Sequence, residues 1–168
     1  MRKLTILDTV DDIYRALDAK AYLSAFALAL TLPDILSMVE YPEIDAMGKR
    51  YSKWMDEFFI TELEKKARVK SDDSKDDLTM LLNRIDGRFY AKLRNVFLHS
   101  GHIDVPGMED VELHISFNGL QSTTVFGHPG GPVWKSHVLS VYDFCMKMCG
   151  ITEYLVEEWK SVPEKMVL

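Results

Sequence analysis

The stretch Ala21–Leu32, reading AYLSAFALALTL, is apolar around its whole circumference and rich in alanine. A helix of that kind has no face to offer water, so it belongs in the middle of a bundle. Its twelve residues fall short of the ~20 that cross a bilayer. Pro33-Asp34 follows at once, which predicts a break and a short second helix with proline in its first turn. The fold class is therefore mainly α, and the rest of the chain must supply amphipathic partners for this central element.

Those partners are visible. Asp8 and Thr9 are good helix caps, and Val10, Ile13, Leu17 and Tyr22 lead from them into the apolar run with helical spacing. Tyr41-Pro42 marks a turn. A second long helix is predicted over 46–66, where Tyr51, Trp54, Met55, Phe58 and Phe59 form a stripe best read as core. The run Ser71–Asp77 reads as a solvated acidic surface connection. A third long helix starts at Leu78 or restarts at Asp86, and it ends at Ser100-Gly101 with glycine as the C-terminal cap.

After Pro106-Gly107 the period falls to two. Val111, Leu113, Ile115 and Phe117 alternate with polar residues, Asn118-Gly119 is a strong turn signal, and Leu120–Phe126 returns. This predicts a late two-stranded β-hairpin over about 111–126. A lone hairpin is marginal in water, so its apolar face must lie on the bundle or on a partner chain. A loop at His128–Pro132 precedes C-terminal helices over about 137–160, where Gly150 and Thr152 suggest a break. The 168 residues fit a single domain spanning 1–168.

Composition narrows the function. The chain is 47% hydrophobic, enough for a real core, and carries a net charge of −6. That charge argues against broad nucleic-acid binding, which needs a basic surface, but leaves room for a local basic groove. The N-terminus meets Asp8 before any long apolar run, so no signal peptide is read and a cytoplasmic protein without a membrane partner is expected. Cys145 and Cys149, at i and i+4, read as buried thiols. His102, His114, His128 and His137 stand at no recognised ligand spacing, so neither metal nor cofactor is expected. No phosphate-binding glycine loop and no G-x-S-x-G nucleophile motif occurs.

The chemically loaded segment is Gly87–Gly101. Placed on a helix at about 100° per residue, Phe89, Leu93, Val96, Phe97 and Ser100 fall on a core stripe. Asn95 and His99 lie together on roughly the opposite side, with Ala91 one turn earlier and Arg88 and Lys92 flanking. Tyr90 and Leu98 fall off the core stripe. Arg94 and His99 point about 140° apart, so one copy of the helix makes a poor Arg/His site. Two copies about a two-fold axis bring both types into one cleft.

The pattern Arg94-Asn95-x-x-x-His99 in a hydrophobic helix resembles the signature of the HEPN superfamily. The longer phrase Tyr90-x-x-Leu93-Arg94-Asn95-x-x-Leu98-His99-x-Gly101 resembles an uncharacterised bacterial group within it, and Leu32-Pro33-Asp34 and Glu40-Tyr41-Pro42 fit the same group. The resemblance covers about residues 9–101. It implies a HEPN-like bundle of the up-and-down four-helix type that forms a homodimer through the motif helices. It also implies, for many members, metal-independent endoribonuclease activity in toxin–antitoxin or defence systems, with RNA as substrate and an antitoxin-like protein as partner. By position, Arg94 and His99 are then the catalytic residues and Asn95 supports them. Other members lack activity, so a non-catalytic protein-interaction or RNA-binding module is the alternative.

The residues suit the chemistry. Metal-free RNA cleavage needs a proton carrier near neutrality, and imidazole titrates at about 6.5. It also needs a fixed cation for charge growing on the phosphoryl oxygens, which arginine supplies. Arg88, Lys92 and His102 are candidates for holding flanking RNA. Each residue also has a plain structural reading. Arg94 can pair with Asp34, Glu40 or Asp86. His99 can sit at a helix end near the negative pole of the dipole. Asn95 can be a buried amide that fixes helix packing.

Overall fold

The computed structural model describes residues 5–61, 85–107, 111–117, 122–126 and 134–162. The acidic run 71–77, the Asn118-Gly119 turn, the 128–132 loop and the Leu78 alternative for the third long helix lie outside the described residues, as does the stretch from 62 to 66. The elements are α1 (Ile6–Asp18), α2 (Tyr22–Glu40), α3 (Met47–Trp54) running into a π-helical turn (Met55–Ile60), and α4 (Gly87–Ser100). They are followed by β1 (Val111–Ser116), β2 (Ser122–Phe126), β3 (Trp134–Ser140) and α5 (Val141–Trp159). The protein is mainly helical, as the sequence predicts.

Helix α2 is the centre of the structure and touches α1, α3, α4 and α5. The predicted first helix is in fact two. Thr5, not Asp8 or Thr9, is the N-cap of α1, because Asp8 serves as the third residue of a capping box: its carboxylate accepts from the Thr5 N–H at 2.7 Å. α1 stops at Asp18, Lys20 takes a left-handed φ of 58°, and α2 starts afresh.

The predicted break at Pro33 is absent, and α2 runs through it to Glu40. Leu32, Pro33 and Leu36 are buried together, so packing outweighs the lost N–H of proline. Passing through Pro33 also makes α2 long and apolar enough, by length and composition alone, to cross a membrane. Its buried face, with Ala25, Phe26, Ala29 and Leu30, is core of the bundle, which the core helix of a soluble protein shares with a membrane span.

An aromatic cluster joins the other helices to α2. Phe144 of α5 packs against Phe26, Phe59 and Tyr90, and Phe26 meets Phe97 edge-on with ring centroids 4.9 Å apart. The stripe Tyr51, Trp54, Met55 and Phe59 is buried, as expected, with Phe58 half-buried against it. Where α3 loosens into the π turn, Lys147 of α5 donates to the Phe59 carbonyl at 2.7 Å.

The predicted hairpin is not formed. β1 and β2 do not pair with each other; β3 lies between them in a three-stranded sheet of order β1-β3-β2. β1 runs parallel to β3, with Leu113 opposite His137, and β2 runs antiparallel to it. The cause is the segment 134–140, expected as loop and helix start, which is a strand. Within it His137 and Leu139 are buried, a two-residue period over a span too short to stand out. α5 therefore begins at Val141 with Ser140 as N-cap, later than the predicted 137. It also passes Gly150 and Thr152 without a break, the Thr152 hydroxyl donating back to the Met148 carbonyl at 2.8 Å.

Candidate functional site

α4 is held at both ends by local chemistry that the sequence announces. Asp86 caps its N-terminus, accepting from the Phe89 N–H at 3.0 Å. The Gly87 N–H reaches across to the Asp56 carboxylate at 2.6 Å, which ties the start of α4 to the π turn. Gly101 closes the helix in a left-handed conformation with φ 71°.

The inner face of α4 keeps Phe89 and Leu93 from the expected stripe but is turned by a fraction of a residue towards Tyr90. Phe89, Tyr90 and Leu93 are buried, and Tyr90, expected off the stripe, is among the most enclosed side chains of the core. Val96 and Phe97 are only half-buried and Ser100 is exposed. The rotation follows from α5. Its Phe144 lies 5.8 Å from the Tyr90 ring, centroid to centroid, and draws that face inward.

This turn sets the candidate residues. Arg94 lies at the border of the inner face and points to α2. Its Nη2 donates to Asp34 Oδ2 at 2.5 Å, and its Nη1 donates to Asn95 Oδ1 at 2.7 Å. The two ion-paired side chains are 20% and 17% exposed, so the pair is largely withdrawn from water without being sealed from it. Burial holds the Asp34 carboxyl above the usual carboxylate range, while the Arg94 guanidinium pulls in the other direction. Of the three acids considered for Arg94, Glu40 instead accepts from Trp159 Nε1 at 2.6 Å and Asp86 is the helix cap.

Asn95 and His99 stand exposed one turn apart on the outer face of α4. Asn95 is thus not the buried amide of its structural reading. His99 makes no side-chain hydrogen bond or ion pair among the described residues. Within one chain the structure joins Arg94 to Asn95, and leaves His99 on the same outer face as Asn95.

The flanking cations are engaged nearby. Arg88 folds back onto Asp86 at 2.6 Å, beside an open groove lined by Gly48, Ser52, Lys53, Asp56 and Glu57. Lys92 donates to the Pro106 carbonyl at 3.0 Å, and His102 is exposed beyond the end of α4. Among the described residues no group of three or more His, Cys, Asp or Glu is placed to hold a metal. Cys145 and Cys149 are buried free thiols whose pKa values burial pushes up to about 12, which leaves them unreactive.

Asp34 is the site residue that sequence reasoning undervalued. The signal was present: Asp34 is the one charged residue between Tyr22 and Val39, and a charge in such a helix needs a partner. The chain matches no protein-family model, no curated protein and no solved structure at a significant level.

Proposed function

We propose that this chain is a HEPN-like helical protein of the cytoplasm that cleaves RNA without a metal, as a homodimer. The observation that carries the reading is the surface of α4. An imidazole and an amide stand in solvent one turn apart, with a clamped guanidinium at their edge.

The division of labour follows from those groups. The ribose 2′-hydroxyl attacks the adjacent phosphorus, giving a 2′,3′-cyclic phosphate and releasing a 5′-hydroxyl. One His99 removes the 2′ proton. The His99 of a second copy protonates the leaving oxygen, and Arg94 faces the charge on the phosphoryl oxygens. Two-fold symmetry supplies both imidazoles, since one α4 carries only one. Arg88, Lys92 and His102 hold flanking phosphates, and the thin basic patch suits a short RNA segment better than a long duplex.

The test is incubation of the purified protein with mixed RNA in a chelator, alongside its sedimentation behaviour. Cleavage by a dimeric wild type, abolished in His99→Ala, is expected. No cleavage, or equal cleavage by the variant, ends the reading.

A second reading is a non-catalytic HEPN-like interaction or RNA-binding module. The Arg94–Asp34 pair favours it, because that bond joins α4 to α2 whether or not RNA is present. The net charge of −6 points the same way. On this reading RNA stays intact in every variant, while Arg94→Ala lowers thermal stability.

A further inference from the structure

We propose that Asp34 is a positioning residue of the RNA-cleaving site, fixing the Arg94 guanidinium so that its two remaining Nη hydrogens meet the phosphate. The inference rests on the nuclease reading above.

The carboxylate joins α2 to α4 through Arg94, and it does so from an unusual position. Asp34 interrupts an otherwise uncharged run from Tyr22 to Val39, where a leucine would continue the pattern of its neighbours. Burial works against its ionised form, and Arg94 is the partner that offsets it.

The geometry shows what it holds. Asp34 takes Nη2 from one helix, and Asn95 takes Nη1 from the other. A guanidinium fixed at both η nitrogens cannot turn about its Cζ–Nε bond. Each η nitrogen carries two hydrogens, so one on each is left over. The side chain as a whole is 20% exposed, so it is not sealed from solvent, and the proposal places the phosphate at its η end. A long arginine free in solution spreads over many rotamers. A clamped one presents its donors without reorganisation, which is what stabilising a transition state requires.

The test uses Asp34→Ala and Asp34→Asn in the full chain, with cleavage of a short oligoribonucleotide in a chelator and ¹⁵N NMR of the arginine side chains. Positioning predicts a kcat lower by about 10- to 100-fold in Asp34→Ala with KM unchanged. Asp34→Asn keeps an acceptor oxygen and falls between. In the spectra, wild-type Arg94 gives two resolved Nη signals, which merge in Asp34→Ala.

Averaged Nη signals in the wild type overturn the inference whatever the RNA assay shows. A wild type that cleaves, loses activity in His99→Ala and keeps full kcat in the Asp34 variants overturns it alone. A wild type that does not cleave overturns it together with the nuclease reading. Where Asp34→Ala fails to fold, Asp34→Asn decides: wild-type kcat there sinks the proposal.

Discussion

Gly87 lies so close to Ser52 that a Cβ on the glycine would stand 2.0 Å from the serine carbonyl oxygen. The first turn of α4 is thus pressed against the backbone of α3, a contact only glycine allows. The obstacle is backbone and cannot swing aside. Gly87→Ala is therefore expected to shift α4 outward and cost about 3 kcal/mol or more, beyond the usual penalty for overpacking. Chemical denaturation of the variant measures this. Gly48→Ala, where an added Cβ meets nothing within 4 Å, is the control and is expected to be near neutral. Equal stability of the two variants would contradict the docking described.

Two buried tyrosines make opposite predictions. Tyr51 donates to the Leu30 carbonyl at 3.2 Å, whereas the Tyr90 hydroxyl is buried with no partner among the described residues. Removing a hydroxyl that has a partner costs about 1 kcal/mol; removing one without a partner relieves a desolvation penalty. Tyr51→Phe is expected to lower the melting temperature, and Tyr90→Phe to leave it unchanged or raise it. A clear loss in Tyr90→Phe would show that its hydroxyl is bonded.

How much of this was legible in the sequence depends on the range of the signal. The α4 boundaries were readable because Asp86 and Gly101 act within one turn of themselves. The central place of α2 was readable because no amphipathic position exists in Ala21–Leu32. What failed was set by distant partners. Pro33 stays helical because the core covers it. The true face of α4 depends on Phe144, more than 50 residues further on. Most plainly, Asn118-Gly119 suggested adjacent pairing, yet β3 separates β1 from β2. A strand that pairs on both sides leaves no local mark beyond a short alternation. At the site, the shared outer face of Asn95 and His99 was visible from spacing, but the choice of Asp34 over Glu40 and Asp86 as partner of Arg94 needed the packing of α2 on α4.

Acid should weaken the fold through His137. Burial lowers its pKa from 6.5 to about 4 in the folded chain. Between those values the unfolded chain binds more protons, so stability falls as pH drops from 6.5 towards 4 and is unaffected by this group above that window. The full effect is at most about 3 kcal/mol, from 1.36 kcal/mol per pKa unit. Urea unfolding of wild type and His137→Leu at pH 7.5, 5.5 and 4.5 isolates it, because other titrating groups are common to both. The wild type is expected to show the steeper loss on acidification. Parallel curves would mean that the imidazole is solvated.

The Arg94–Asp34 pair gives a pH dependence of the other sign. The folded pKa of Asp34 is raised, so its contribution to stability is fully present below the unfolded value of about 3.9 and is lost as pH rises through the folded one. In the wild type Arg94 opposes that loss. Arg94→Ala removes the opposition and leaves a half-enclosed carboxylate, which raises the folded value further. The variant is expected to lose on the order of 2 kcal/mol at pH 7.5, less than the usual penalty for a fully buried pair because both side chains keep some exposure. At pH 4 the loss should be much smaller. Adding Asp34→Asn removes the charge itself, so the double variant should recover stability at pH 7.5 and lose its extra pH slope. Denaturant unfolding of both variants at the two pH values checks this. An Arg94→Ala penalty that is the same at both would mean that Asp34 faces water once its partner is gone.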